Sequence, residues 1–172
     1  MPALSRRRFV AALAGSPLLA RARETGPRTL AFEHLHTGER LEVEYFNAGG
    51  YVGDALGAVN HLLRDFRSGE VGRIDPALLD LLHALRTKTS SERPFEIISG
   101  YRSPATNRML HERSSGVATK SLHMSGQAID IRVGGLPLAS LRDAALSLGC
   151  GGVGFYPGSN FVHVDTGRVR AW

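Results

Sequence analysis

The spacing of apolar residues changes period at Pro94, and that change excludes a fold built from one kind of element. Before it, Leu56, Val59, Leu62, Leu63 and Phe66 recur at helical intervals until Ser68-Gly69 breaks the pattern. A second helix is predicted behind Asp75, an N-cap residue followed by Pro76, with Leu78, Leu79, Leu82 and Leu85 as its apolar face. After Pro94 the pattern reads as strands over 95–100, 128–133 and 161–165, with one helix near 138–148 between the last two. Upstream of both regions, residues 29–36 and 41–46 alternate apolar and polar around Thr37-Gly38-Glu39, as a β-hairpin does. The prediction is an α+β fold with N-terminal helices packed on a small antiparallel sheet. A chain of 172 residues without repeats or a low-complexity linker holds one such core, here divided into 1–22, a hairpin segment over 23–50 and the main body over 51–172.

The formal net charge of +5 suggests an anionic partner until the charges are located. Arg6, Arg7, Arg8 and Arg21 fall within the first 22 residues, which hold no acid, leaving 17 Lys+Arg against 16 Asp+Glu in the remainder. A nearly neutral body has no cation footprint for nucleic acid, which is therefore excluded as a partner. Ser5-Arg6-Arg7-Arg8-Phe9-Val10 and the weakly apolar run after it resemble a twin-arginine export signal, with Ala20-Arg21-Ala22 as a small-x-small cleavage site. That run of about 12 residues is short of the roughly 20 that span a bilayer, so no permanent membrane anchor is expected. The resemblance implies a periplasmic location.

Cys150 is the only cysteine, which rules out an intramolecular disulfide and any cysteine-rich zinc finger. Between Gly149 and Gly151-Gly152 it reads as a small buried residue. A metal would have to use His, Asp or Glu. Of the seven histidines, His34 and His36 read as the solvated side of the hairpin, and His61 and His83 as surface or partly packed helix residues. His123 stands on a loop entering the strand that carries Asp130, with Gly126 between them, while His163 and Asp165 face the same way on the last strand. Two imidazoles and a carboxylate, with water as fourth ligand, form many catalytic zinc sites.

Four ordered segments carry a further signal: Ser99-Gly100-Tyr101-Arg102-Ser103 with Asn107; Ser121-x-His123-x-x-Gly126-x-Ala128-x-Asp130; Gly151-Gly152-Val153-Gly154-Phe155-Tyr156; and Phe161-Val162-His163-Val164-Asp165-Thr166-Gly167 with Arg170 and Trp172. From about Asn60 to Trp172 the chain resembles the murein endopeptidase branch of the peptidase M15 superfamily. The resemblance implies one Zn2+ per chain on His123, Asp130 and His163, and hydrolysis of peptide cross-links in peptidoglycan by a monomer. It places Arg102 beside the substrate carbonyl and implies substrate contacts from Ser121, Tyr101, Asn107 and Tyr156. Many relatives carry a proton acceptor two or three positions before the last ligand, where this chain has Phe161 and Asn160. Asp165 is therefore expected as base or as orienting carboxylate, with Glu112 and His111, in the loop before Ser121, as reserves. A carboxypeptidase or dipeptidase on free wall peptides, and a non-catalytic peptidoglycan-binding domain, are the alternative readings.

Overall fold

Residues 26–114 and 116–172 are described by the computed structural model, and the export signal expected over 1–22 lies outside them. The alternating segments form β1 (Arg28–His34) and β2 (Arg40–Asn47), extended by the short β3 (Gly50–Tyr51). Two helices follow, α1 (Gly53–Leu62) and α2 (Pro76–Thr89). Asp75 caps α2 by accepting the Ala77 N–H at 2.9 Å, and Pro76 fits the first turn, where no N–H is needed. The remainder is β4 (Phe95–Ser99), α3 (Pro104–Arg113), β5 (Ala128–Val133), α4 (Leu138–Leu148), β6 (Gly152–Tyr156), β7 (Phe161–Asp165) and β8 (Arg170–Ala171).

All eight strands belong to one sheet, ordered β3-β2-β1-β4-β5-β7-β6-β8. It is larger than the small antiparallel sheet expected, and it is mixed: β1 runs parallel to β4, and β6 to β8. The reason is the connection. Between β1 and β4 the chain passes through α1 and α2, a crossover long enough to return it in the same direction. The N-terminal hairpin is thereby continuous with the strands that hold the site.

One face of the central strands is apolar. Ile129 and Ile131 of β5 pair with Val164 and Val162 of β7, and all four are buried with Leu78, Leu82 and Leu85 of α2 and Leu141 of α4. Each such side chain contributes about 1.5–3 kcal/mol on burial. The alternate rung positions, Asp130 opposite His163, face the other way.

Three local expectations need correction. His111 and Glu112 lie on α3 and not in a loop; this helix buries only Thr106 and Asn107, so it lacks the apolar stripe by which helices are recognised. Cys150 is exposed, because α4 ends at Gly149 in the left-handed region (φ 61°) and the chain turns outward, leaving the thiol to donate to the Leu148 carbonyl at 3.1 Å. His34 is fully buried at the end of β1, where the Phe66 ring meets it edge-on at 5.6 Å. His36, past the strand end, is exposed as expected and stacks on the same ring at 4.1 Å. His61 is exposed and His83 half-buried, as their helical positions suggested.

Candidate metal centre

Two of the three expected ligands are set by sheet register. Asp130 of β5 and His163 of β7 are antiparallel partners, and the His163 Nδ1 lies 2.8 Å from the Asp130 Oδ1. His123 arrives from a single 3₁₀ turn (Leu122–Ser125), which is capped by Ser121 and closed by Gly126 at φ 66°. A side chain on Gly126 would run into the Arg73 backbone, so glycine serves both the turn and the close approach. The turn brings His123 Nε2 to 3.3 Å from both His163 Nδ1 and Asp130 Oδ1. Ligands about 2.0–2.1 Å from a tetrahedral ion stand about 3.3 Å apart, close to these spacings.

Proton placement decides what such a cluster can hold. His123 Nδ1 lies 2.8 Å from the Gly100 carbonyl, which can only accept, so Nδ1 carries the hydrogen and Nε2 presents a lone pair. His163 Nε2 lies 3.1 Å from Asp165 Oδ2; an ionised carboxylate also only accepts, so the His163 lone pair is on Nδ1. Both imidazoles thus direct their hydrogens outward and their lone pairs toward a carboxylate oxygen. Three acceptors converging at 2.8–3.3 Å repel unless a cation lies among them, and this donor set fits a divalent metal of the zinc type. Burial alone would raise the Asp130 carboxyl, but His123 and His163 rings that carry a proton, supplying the positive charge a cation otherwise would, outweigh it and hold that group well below the usual carboxylate range.

Asp165 stands behind His163 and away from the cleft. It is fully buried and accepts from Arg170 at 2.7 and 3.1 Å, from the Gly152 N–H at 3.0 Å and from the Gly167 N–H at 2.8 Å. Gly152 leaves the space this pair occupies, since a side chain there would collide with Asp165 and Arg170. Burial raises this carboxyl too, yet His163, Arg170 and the two amides together hold it far down. The geometry is that of an orienting carboxylate and not of a proton acceptor for cleft water.

The convergent atoms lie on the floor of an open cleft of about 610 Å³. Arg102 lines it, with its Nη2 3.9 Å from Asp130 Oδ2. The loop bearing Arg102 is tied to the His123 turn by its own N–H, which donates to the His123 carbonyl at 3.2 Å. Asp65 anchors the same loop by accepting from Ser103 N–H and Oγ–H at 3.0 and 2.8 Å. Despite its burial, bonds from Thr106 and Ser103 bring Asp65 down to about 2. Ser121 and Tyr156 line the cleft.

Tyr101 and Asn107 do not line it. Tyr101 donates its hydroxyl to Glu70 at 2.7 Å, and Asn107, 2% exposed, accepts from Arg102 while donating to the Ala118 and Thr119 carbonyls. Asn107 has no donor left for a substrate and instead fixes the cleft wall. Neither His111 nor Glu112 reaches the lining, and among its described residues no carboxylate or imidazole stands free beyond the three convergent ones. Among the wall residues that the motif reading left without a role are Arg170, which holds Asp165, and Trp172, whose ring lies 5.3 Å from that of His163.

An α+β fold with a mixed sheet and a His-Asp-His set at the base of a cleft could hold one metal ion. Comparison with known proteins narrows the class. The family profile described as peptidoglycan L,D-endopeptidase MepK matches residues 22–172, and the chain belongs to this peptidase M15 family. The peptidoglycan L,D-endopeptidase MepK of Escherichia coli K12 is 46% identical over 162 residues, covering 94% of this chain and 89% of that protein. The probable peptidoglycan L,D-endopeptidase MepK of Haemophilus influenzae is 43% identical over 156 residues, covering 90% and 84%. The crystal structure of the Serratia marcescens L-Ala D-Glu endopeptidase ChiX aligns with 44% of this chain and 62% of its own, at 23% identity and a TM-score of 0.35.

Proposed function

We propose that this protein is a zinc-dependent endopeptidase that hydrolyses peptide cross-links of peptidoglycan. The observation that carries the reading is the convergence of three lone-pair-bearing atoms whose hydrogens are all directed elsewhere. His123, Asp130 and His163 would hold the ion. Bound there, zinc supplies a water of lowered pKa, about 7, and a Lewis acid for the scissile carbonyl.

The chain's own groups do the rest. Gly100 and Asp165 fix the tautomers of the two imidazoles, so each offers its ligand nitrogen without rearrangement. Arg102 places a fixed cation on the same lining, where negative charge develops on the carbonyl oxygen, and Asn107 and Asp65 keep its loop in place. Ser121 and Tyr156 contact the substrate from the cleft walls. The substrate of the named relatives lies outside the cytoplasm, which agrees with export by the leader over 1–22. Among the described residues no helix is long and apolar enough to cross a membrane.

The test is digestion of purified cross-linked muropeptides, with products weighed by mass spectrometry. Chelation should abolish release of monomers and added zinc should restore it. Products cut between stems identify an endopeptidase. Loss of one terminal residue would identify a carboxypeptidase, and full zinc occupancy without any product a binding domain.

A further inference from the structure

Three cations lie on the cleft lining, and two are committed. Arg170 spends both terminal nitrogens on Asp165, at 2.7 and 3.1 Å. Arg102, with a side chain 11% exposed, is bonded to Asn107 and faces Asp130. Lys120 is exposed and forms no ion pair among the described residues. The one side-chain carboxylate among the described residues of this lining is Asp130, which belongs to the convergent three. An anionic group entering the cleft therefore meets an uncommitted ammonium, and no free acidic side chain opposes it.

The backbone that presents this ammonium is anchored on both sides. Before it, Asn107 donates to the carbonyls of Ala118 and Thr119 at 3.1 and 3.3 Å, and the His111 ring, on α3, bonds the Val117 carbonyl at 2.6 Å. After it, the Ser121 hydroxyl accepts the His123 N–H at 3.4 Å, so Lys120 sits three residues from a convergent imidazole on a tethered turn. A charge presented from a fixed origin loses less freedom on binding than one on a loose loop.

We propose that Lys120 selects the substrate by pairing with a free carboxylate on a residue flanking the cleaved amide, which makes acidic peptides the substrate class. The inference rests on the endopeptidase reading for its chemistry, but its binding arm is independent of turnover. A hydrogen-bonded charge pair of this kind is worth about ten- to a hundredfold in recognition. Recognition by a rim lysine also weakens as salt rises.

Trp172 is the only tryptophan of the chain and lines the same cleft, so its fluorescence reports occupancy. Two probes are needed: a cross-linked stem-peptide dimer with free carboxylates, and the same dimer with those carboxylates converted to carboxamides. The zinc-loaded protein should cleave the acid form about tenfold or more faster in kcat/KM, with the difference in KM. Lys120→Ala should bring the two forms to parity, Lys120→Arg should restore the preference, and Lys120→Glu should reverse it. Fluorescence titration with non-hydrolysable versions of both dimers, in which the scissile amide is reduced to CH2–NH, should show the same ordering in Kd. Equal Kd for acid and amide forms in the wild type, or a preference that survives in Lys120→Ala, overturns the role of Lys120. Carboxylate-dependent binding that Lys120→Ala abolishes, without cleavage of either dimer, supports the role of Lys120 and overturns the endopeptidase reading.

Discussion

The molecule holds two groups of histidines, and only one is arranged to bind a metal. At the end of β1, His34 is fully buried beside His36, with His61 and Glu39 close by. On the 3₁₀ turn and β7, His123 is buried and His163 half-buried, with their rings 5.1 Å apart against 6.0 Å for His34 and His36. Proximity does not distinguish the two. The difference lies in where the ring hydrogens go. His123 and His163 give theirs to a carbonyl and a carboxylate behind them, which turns their lone pairs onto a common point. His34 spends the lone pair of Nδ1 on accepting the His36 N–H at 3.2 Å, and its Nε2 has no partner, so no lone pair is left for an ion. A metal site is thus recognised by the acceptors behind its histidines as much as by the histidines themselves.

The sharpest way to break this contrast is to delete one residue from each group. His123→Ala should lose stoichiometric zinc and lower kcat/KM by about 10³-fold or more, since the ion is asked for several kcal/mol of barrier reduction. His36→Ala should keep both. Metal analysis of the purified variants and muropeptide digestion measure the two effects, and zinc retained at one per chain in His123→Ala would sink the ligand assignment.

A smaller effect isolates the acceptor behind the ligand. Asp165→Asn keeps the size of the side chain but removes the charge that holds His163 Nε2–H. Zinc affinity, measured against a competing chelator, should fall about 10–100-fold. Unchanged affinity would show that the outward hydrogen bond is not what orients the ring.

The smallest effect concerns pH. Burial, then the neighbouring His36, lowers the pKa of His34 below its ordinary value of 6.5. The unfolded chain therefore takes up a proton that the folded chain refuses, and stability falls as pH drops below about 6.5. His34→Leu should remove that part of the acid destabilisation and lie within about 1.5 kcal/mol of the wild type at pH 8. Denaturant melts at pH 8 and pH 5 test it; an identical acid loss in the variant would show that other groups carry it.

Much of this arrangement was written in local sequence. The leucine stripe of α2, the alternation in β5 and β7 and the spacing of His123, Asp130 and His163 all rest on patterns a few residues long. What escaped was of another kind. α3 hides because the face it buries is polar, Thr106 and Asn107; its signals were the cap Ser103 and Pro104 after it. The parallel pairing of β1 with β4 depends on partner choice across 63 residues, Phe32↔Phe95 and Glu33↔Glu96 in matched register, and no local period encodes it. The outward turn of Tyr101 and the inward use of Asn107 follow from which side of a loop faces Glu70 or Ala118, and a motif does not reveal that.

Asp130 and His163 occupy a single rung of the β5–β7 ladder. Slippage of one strand by a single residue would send the two side chains to opposite surfaces of the sheet and bring Ile or Val to the cleft floor. On the zinc reading proposed above, metal capture would be a proofreading step: only a correctly aligned ladder could acquire the ion, and its binding would make misalignment costly. Zinc uptake during refolding should trail sheet formation, so that hydrolytic competence is conferred last, on chains that have already folded correctly.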